Sequence, residues 1–374
     1  LLESLSLGPA NLIFALSHTH SAPPLMAIEE GIAGGDLLNT WLESLFHATV
    51  RTVENALASE SDASLDWNPG RCALATVRDM PDPDPANARV ICGFNPDGEA
   101  DDYLLLGRVT DNTGQLLATL THYACHPTTL AWENTSISPD YVGAMRETLE
   151  QNTGAPAMFM LGACGDLAPR YQYVGDTEVA DAHGKQLGFA ALSTLQGMEP
   201  PGTRLVFADT IESAAPLAVW HRASNEPSNE LAATMISVNL PVKNWPSAES
   251  LEQQRSVATD RSLEERLRRK RDIRRSLGDG STFSLPIYIW RVGDAMLVGS
   301  CCEAYSWLQK NLRDRFPDHI IVCMNLVNGS LGYLPPAELY DTDVYQVWQT
   351  PFDRGALERV LDAMSEAISD AIRH

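Results

Sequence analysis

The sequence lacks several features that would place it in a functional class. No run of about twenty apolar residues occurs, so no segment predicts a membrane-spanning helix. Basic residues are scarce, with 27 Lys and Arg against 49 Asp and Glu, and the net charge is −22. Because a field of that sign repels phosphate backbones, nucleic acid is not an expected partner. The 374 residues also contain no internal repeat and no low-complexity linker.

Two common metal-binding motifs are absent as well. The seven cysteines include no C-x-x-C pair, which excludes the usual structural zinc site. No H-E-x-x-H occurs, which excludes the motif of helical zinc proteases. Since the number of cysteines is odd, we expect buried free thiols, while one or two disulfides would fit an exported protein.

The sequence does contain alternating strand and helix patterns. Apolar residues at helical spacing over 36–58 predict a long helix with one buried stripe. Paired strands are predicted over 103–110 and 115–123, around a turn at 111–114. Further strands are predicted over 10–17, 157–161, 204–213, 231–240, 284–292, 295–300 and 319–326, and further helices over 141–152, 177–195, 303–315 and 354–372. This mixture predicts one α/β domain over 1–374, with mixed β-sheets and flanking helical layers.

Two segments depart from this alternation. Residues 1–9 have the pattern of the end of an amphipathic helix with no start signal, so we expect that an N-terminal segment precedes them. The compartment therefore stays open. Residues 250–277 are polar and rich in Arg, with Glu264 and Glu265 spaced to pair with arginines on one helix. We expect a solvated helical excursion here; the alternative is a basic patch for acidic head groups.

Four of the nine histidines lie in two short motifs, His18-Thr19-His20 and His122-x-x-x-His126. Both motifs follow a predicted strand, so we expect them at strand ends. A catalytic zinc takes three or four N or O ligands and an open position for water. We expect His18 and His20 to face different groups, so that one could bind metal while the other faces a substrate.

Both motifs stand within longer strings that resemble the neutral ceramidase family. Residues 17–23 (SHTHSAP) are similar to the family's His-Thr-His-Ser-Gly-Pro signature, and residues 123–129 (YACHPTT) to its second histidine loop. Residues 332–340 (GYLPPAELY), followed by Tyr345, resemble its C-terminal block. Cys302-Glu303 falls where the family has Gly-Glu opening a helix. The four blocks stand in the family's order and span most of the chain.

The resemblance implies the fold of the neutral-ceramidase catalytic domain and a zinc-dependent hydrolase. Its small-molecule substrate would be ceramide or a similar N-acyl compound, cleaved at the amide by zinc-activated water. One zinc per chain is implied, with the ligands His18, His126, Glu303 and Tyr333. His20 would act as general acid–base, and Arg78 and Tyr345 would donate hydrogen bonds to the oxyanion. Arg71 lies on the same loop and competes with Arg78 for the role of the site arginine.

Several alternatives stay open at this point. A zinc-dependent esterase for a small acyl ester fits the same metal centre. A non-catalytic binding protein with this fold would predict a broken ligand set, and a cysteine-dependent hydrolase would use Cys164. For His122 we predict a structural role in a strand, and for Asp166 the orientation of a ligand histidine. Because a single predicted helix follows Tyr345, we expect the family's immunoglobulin-like domain to be absent; the oligomeric state is open.

Overall fold

The computed structural model describes residues 1–25 and 34–373. The helices are α1 (Leu2–Leu5), α2 (Gly35–Ala58), α3 (Tyr141–Thr153), α4 (Thr177–Gln196), α5 (Ala248–Ser256), α6 (Arg261–Leu277), α7 (Ser306–Arg315), α8 (Tyr345–Gln349) and α9 (Ala356–Arg373). The strands are β1 (Ser64–Arg71), β2 (Ala75–Val77), β3 (Asp79–Pro81), β4 (Val90–Cys92), β5 (Tyr103–Thr110), β6 (Leu116–Tyr123), β7 (Ala157–Leu161), β8 (Leu167–Pro169), β9 (Thr203–Glu212), β10 (Pro216–Ser224), β11 (Leu231–Pro241), β12 (Thr282–Val292), β13 (Ala295–Ser300), β14 (Glu303–Ala304), β15 (Ile320–Met324) and β16 (Tyr333–Leu334). Short 3-10 helices occur at Pro9–Asn11 and Ala337–Asp341.

Two mixed four-stranded sheets form the framework. Their strand orders are β1-β5-β6-β7 and β11-β12-β13-β15. In each sheet the last pair is parallel, β6 with β7 and β13 with β15, while the other pairs are antiparallel. Parallel neighbours need a crossover connection, and α3 and α7 supply it. The predicted α/β class with mixed sheets is confirmed, and each sheet carries one β-α-β unit.

Side-chain alternation along the strands places the two sheets face to face. In β5, Leu104 and Leu106 join a buried cluster that includes α3 and α4. Between them, Leu105 points the other way and packs in a cluster with Tyr288 of β12. In β12, Ile287 and Ile289 turn away from that shared cluster to pack with α7 and α9. Because strand side chains alternate between faces, this pattern gives four layers, with helices outside and sheets inside.

Two glycines of α4 allow α3 and α4 to pack closely. A Cβ built on Gly184 would lie 2.3 Å from the carbonyl oxygen of Tyr141 in α3. One turn later, a Cβ on Gly188 would lie 2.6 Å from the Cβ of Thr148. Neither contact is sterically allowed, so these two helices can pack this closely only where α4 carries no side chain.

Helix α2 differs from the prediction for its region. The helix itself is confirmed, but Leu38 is its one buried residue, and Leu37, Phe46 and Leu57 are exposed. The predicted buried stripe is therefore wrong within the described residues. An apolar stripe is buried only when another element packs on it, and no described element packs along the length of α2.

The predicted strand over 10–17 is also wrong. Its first residues fall in the 3-10 helix Pro9–Asn11, and no ladder follows. Instead, the side chain of Asn328 accepts from Phe14 N at 2.7 Å and donates to Leu12 O at 2.7 Å. The main chain of Asn328 donates to Phe14 O at 2.9 Å. A side-chain amide thus satisfies backbone groups that a neighbouring strand would otherwise pair.

The described residues contain no disulfide and no candidate membrane-spanning helix. All seven thiols are free, as expected, and all but that of Cys92 are buried. Within residues 1–25 and 34–373, no helix has both the length and the apolar character needed to cross a bilayer.

Candidate metal centre and cavity

The candidate site lies at the carboxyl ends of β6 and β13, the first strands of the two β-α-β units. His126 stands three residues beyond the end of β6, and Glu303 three residues beyond the end of β13. Loops at the carboxyl ends of parallel strands commonly form binding sites in open α/β sheets. Here the loops meet, with His126 Nε2 3.0 Å from Glu303 Oε2. Glu303 does not open a helix, as the resemblance had implied, but lies in β14, and α7 begins at Ser306.

Tyr333 is placed beside Glu303 by strand pairing. The short strands β14 and β16 are parallel, and Glu303 and Tyr333 are direct partners in the register. The amide of Glu303 donates to Gly332 O at 2.9 Å, and both side chains are buried. Gly332 has φ of 81°, a left-handed conformation that favours glycine. The carboxylate and the phenol, thirty positions apart in sequence, therefore lie next to each other.

The loop that carries His18 lies against the loop that carries His126. Thr19 Oγ1 donates to Ser138 O at 2.7 Å, and His20 N donates to Pro127 O at 3.4 Å. His18 has φ of 67°, which is uncommon for a residue with a side chain. Such conformations persist where the surroundings enforce them, and they cluster at functional sites.

Asn328 holds the segment upstream of the histidine loop, a role that sequence reasoning missed. Its side chain fixes Leu12 and Phe14, just upstream of the histidine loop. In the sequence it belongs to Asn328-Gly329-Ser330, which matches a glycosylation sequon, and that pattern hides its role. The signal that could have found it is the Asn-Gly pair, because Asn tolerates the left-handed conformation seen here at φ of 57°.

Three histidines come together at this point. The ligand atoms of His18, His20 and His126 all lie within 4.8 Å of one another. His18 Nε2 is 3.3 Å from Glu303 Oε2 and makes no hydrogen bond with the described residues. His126 is fully buried, whereas His20 is the most exposed of the three.

The donor set around Glu303 fits a divalent cation. His126 Nδ1 faces the carbonyl oxygens of Cys164 at 2.6 Å and Leu167 at 3.2 Å, so in the neutral ring Nδ1 carries the proton. The lone pair of Nε2 then points at a carboxylate oxygen of Glu303, and Nε2 of His18 lies 3.3 Å from the same oxygen. Two acceptors that face each other, the His126 lone pair and the Glu303 oxygen, repel each other unless a cation lies between them. Burial lowers the pKa of His126 to about 4, so near neutral pH a proton on this ring is not that cation.

Two imidazoles and a carboxylate are ligand types that zinc accepts, and the phenol of Tyr333 lies beside the carboxylate. The carbonyl oxygens behind His126 are also of the kind that orient metal-bound histidines.

The prediction that Asp166 orients a ligand histidine is wrong. Both oxygens of its carboxylate bind Ser306 instead, accepting from the backbone amide at 2.6 Å and from Oγ at 2.7 Å. Asp166 thereby fixes the start of α7, which is three residues beyond Glu303.

Arg78, and not Arg71, is brought to the site. Arg78 is buried and donates to Gly165 O from Nε at 3.1 Å and Nη2 at 2.7 Å. Nη2 also donates to the hydroxyl of Tyr333 at 3.1 Å. Among the described residues, no carboxylate lies within ion-pair distance of its guanidinium. Arg71, by contrast, is exposed and pairs with Asp102.

A cavity of about 350 Å³ opens in front of the histidines. Its wall includes His20, Arg78, Tyr333 and Tyr345, together with one face of α6. The ring of Tyr345 lies 5.5 Å from that of Tyr333, centroid to centroid. The structure thus brings all three residues predicted to surround the reacting carbonyl into one cavity beside the candidate ligands.

The surroundings in the cavity shift the pKa values of Tyr345 and His20 in opposite directions. Burial raises the pKa of the Tyr345 phenol, although Arg269 opposes that rise. Arg269 Nη1 donates to the Tyr345 oxygen at 2.7 Å, which leaves the phenol's own proton free to be donated. Loss of hydration around the ring inside the cleft, reinforced by His18 and His126, lowers the pKa of His20 well below its usual value, although part of the residue reaches solvent. Near neutral pH, the phenol of Tyr345 therefore keeps its proton and the ring of His20 is unprotonated.

Two other candidates from the sequence, Cys164 and His122, lie where their contacts indicate a structural role. Cys164 is fully buried, and burial raises the pKa of its thiol well above the usual value, which disfavours a reactive thiolate. His122 is buried in β6, with Nε2 2.8 Å from the carbonyl oxygen of Cys323 in β15. It thereby links the two sheets, as its predicted structural role required.

Comparison with known proteins gives matches among solved structures. No protein-family model matches the sequence, and no curated protein matches it. The chain is similar to a ceramidase complexed with C2, at 15% identity and a TM-score of 0.64, over 100% of this chain and 65% of that one. It is also similar to the neutral ceramidase from Pseudomonas aeruginosa, at 16% identity and a TM-score of 0.61, over 96% of this chain and 61% of that one. The chain spans less than two thirds of either structure's length. At such low identity the similarity concerns architecture, and the chain has the fold of the neutral ceramidases.

Proposed function

We propose that this chain is a zinc-dependent hydrolase that cleaves the amide bond of an N-acyl compound. The observation that carries the proposal is that two imidazole nitrogens and a carboxylate oxygen converge on one point beside a cavity. Acid–base and hydrogen-bonding groups line that same cavity. The fold shared with ceramidases supports the same reaction class by analogy.

The proposed zinc ligands are His18, His126, Glu303 and Tyr333. Bound zinc would lower the pKa of a water molecule towards 7 and polarise a carbonyl group. His20 belongs to the same histidine cluster, but it lines the cavity and is exposed there. We therefore assign it to proton transfer and not to metal binding.

In the proposed reaction, the oxygen of a water molecule adds to the acyl carbon and the C–N bond breaks. His20 accepts a proton from the attacking water and passes it to the leaving nitrogen. The products are a carboxylate and an amine, so the atoms of one water are divided between them. Esters have a better leaving group and need this proton less, so a group placed to carry a proton to the leaving atom supports the amide over the ester alternative.

Arg78 and Tyr345 would stabilise the oxyanion of the tetrahedral intermediate. A buried cation without a carboxylate partner is unfavourable unless another anionic group comes close to it. Arg78 is such a cation, and a developing oxyanion in the cavity would supply the charge. Tyr345 can add its free proton, because Arg269 already occupies the phenol oxygen.

The size of the cavity favours a short substrate. Its volume of about 350 Å³ is at the lower end for small-molecule sites, which span roughly 300–1,000 Å³. Ceramide is one N-acyl compound that the analogy with ceramidases suggests. A compound with one short acyl chain fits this volume better than one with two long chains. The non-catalytic alternative predicts a broken ligand set, whereas here every proposed ligand is present.

The test uses the purified protein, stripped of metal with a chelator and then reloaded with zinc. We expect one zinc per chain by elemental analysis and amine release from short N-acyl compounds only after reloading. A Cys164→Ser variant serves as the control for a cysteine mechanism and should keep its activity. Amide cleavage that is undiminished without metal, or lost in Cys164→Ser, would rule out the proposal. Cleavage of matched esters alone would select the esterase.

A further inference from the structure

One face of α6 forms a wall of the cavity. Ser262, Glu265, Arg266 and Arg269 line it, and their spacing places them on one side of the helix. The expected solvated excursion at 250–277 is thus two helices, one of which presents charged side chains to the candidate site.

Arg266 differs from its neighbours on α6 in its charge partners. Arg268 and Arg269 both bind the carboxylate of Glu265. Among the described residues, no carboxylate lies within ion-pair distance of Arg266. Its guanidinium carbon lies 4.4 Å from the ring centroid of Trp348, a cation–π contact. Stacking of this kind fixes the guanidinium plane and leaves its edge N–H groups available as donors.

The cavity is therefore a positive site on an acidic protein. Arg78, Arg266 and Arg269 line it, and Glu265 is the one carboxylate among the lining residues. The chain as a whole carries −22. A concave site lined by one sign of charge focuses its field and attracts ligands of the opposite sign. The expected ligand is an anion, although the rest of the surface repels anions.

An aromatic wall connects Arg266 with the reacting end of the cavity. The ring of Trp348, on which Arg266 stacks, lies 4.7 Å from that of Tyr345. Tyr345 in turn lies 5.5 Å from Tyr333. One small molecule can therefore place a carbonyl at Tyr345 and an anionic group at Arg266.

We propose that Arg266 binds a carboxylate of the substrate, so that the compound cleaved is an N-acyl amino acid or a similar anionic amide. This inference rests on the proposed amide hydrolysis. Water adds to the acyl carbon, the C–N bond breaks, and the products are the acyl carboxylate and the free amino acid. The guanidinium fork suits this role because it matches the two oxygens of a carboxylate. Arg269 lies one turn further along α6 and adds positive charge beside it.

The test compares hexanoylglycine with hexanoylglycinamide, which differ in charge and hardly in size. With zinc-loaded wild type we expect kcat/KM to favour the acid by about tenfold to a hundredfold, the usual effect of a hydrogen bond to a charged group. In Arg266→Gln this ratio should fall close to one. Arg275→Gln is the matched control, because Arg275 is on α6, pairs with Asp272 and is not among the residues that line the cavity. It should keep the wild-type ratio.

Binding provides a readout that does not depend on hydrolysis. Calorimetry with metal-free protein should show hexanoylglycine binding that weakens at least about tenfold in Arg266→Gln and not in Arg275→Gln. If the acid binds through Arg266 but neither compound is cleaved, the carboxylate site stands and the proposed hydrolysis fails. If both compounds are cleaved with equal kcat/KM, or Arg266→Gln leaves the ratio unchanged, the carboxylate proposal is overturned and hydrolysis stands. Absence of both binding and cleavage also overturns it.

Discussion

His18 and His20 are two positions apart, yet they meet different surroundings. His18 points Nε2 at Glu303 and is half-buried, whereas His20 lines the cavity and is exposed. Alternation along an extended loop does not explain it, because side chains two positions apart share a face, the backbone at His18 is left-handed with φ of 67°, and the two rings lie 4.9 Å apart. The difference lies in the exposure of each ring and in the groups that it faces. It is the basis for separating a metal ligand from a proton-transfer group.

Replacing either proposed histidine ligand should remove zinc. In His18→Ala and His126→Ala the remaining ligands leave the metal exposed to solvent, so we expect metal content well below one per chain by elemental analysis. His20→Ala should keep its zinc and lose turnover by about a hundredfold to ten-thousandfold, the usual contribution of general acid–base catalysis. Equal zinc loss in His18→Ala and His20→Ala would make His20 a ligand.

Tyr345→Phe removes one hydroxyl and tests the oxyanion role. Because that hydroxyl would act mainly in the transition state, kcat should fall by about a hundredfold to a thousandfold with little change in KM. Zinc content should stay at the wild-type level, since the ring still packs against Trp348. Tyr171→Phe is the matched control, as Tyr171 is exposed and is not among the lining residues. Normal turnover in Tyr345→Phe would end the oxyanion assignment.

At the scale of elements, the packing of α3 on α4 opposes local helix propensity. Alanine is the better helix former by about 1 kcal/mol, so Gly184→Ala would stabilise an isolated α4. In the protein, the added methyl would meet Tyr141 O at 2.3 Å and Met145 N at 2.8 Å. Both are backbone atoms and cannot move without shifting α3, so the clash outweighs propensity.

We expect Gly184→Ala to lower the free energy of unfolding by about 1–3 kcal/mol, the usual cost of overpacking. Denaturant unfolding measures this change. Gly35→Ala is the control, because a Cβ there meets nothing within 4 Å among the described residues. That variant should stay within about 1 kcal/mol of wild type. A Gly184→Ala protein as stable as wild type would show that α3 and α4 do not pack as described.

At the scale of the whole molecule, His122 couples the joining of the two sheets to pH. Burial lowers its pKa to about 4, against about 6.5 in an unfolded chain. Between these values the unfolded state binds the proton and the folded state does not, so stability falls as pH falls from about 6.5 to about 4. The difference of about 2.5 pKa units corresponds to about 3 kcal/mol.

His122→Gln isolates this contribution, because Gln does not titrate and can still donate to the carbonyl of Cys323. Unfolding measured at pH 7 and pH 4 should show that wild type loses about 3 kcal/mol more than the variant over this interval. Other titrating groups are common to both proteins and cancel in the comparison. Parallel pH profiles for the two proteins would contradict the prediction.

Elements that depend on local pattern could be predicted from the sequence. The predicted strand pair over 103–110 and 115–123 became β5 and β6, and the helices predicted over 141–152 and 354–372 became α3 and α9. Hydrophobic periodicity and turn residues act over a few positions, so short stretches of sequence are enough to specify them. The candidate ligands came from strings that resemble a family, and their roles stay predictions. So does the assignment of 1–374 to one domain.

Which distant residues meet could not be predicted from local pattern, because it depends on the folded chain. Glu303 and Tyr333 become neighbours because β14 and β16 pair in one register, and backbone carbonyls, not Asp166, orient the ring of His126. Asn328 anchors a segment more than three hundred positions away in sequence. In the same way, the stripe of α2 stays half-buried or exposed because no described element packs along it. Contacts of this kind depend on the tertiary packing of distant segments, and local propensity carries no information about that packing.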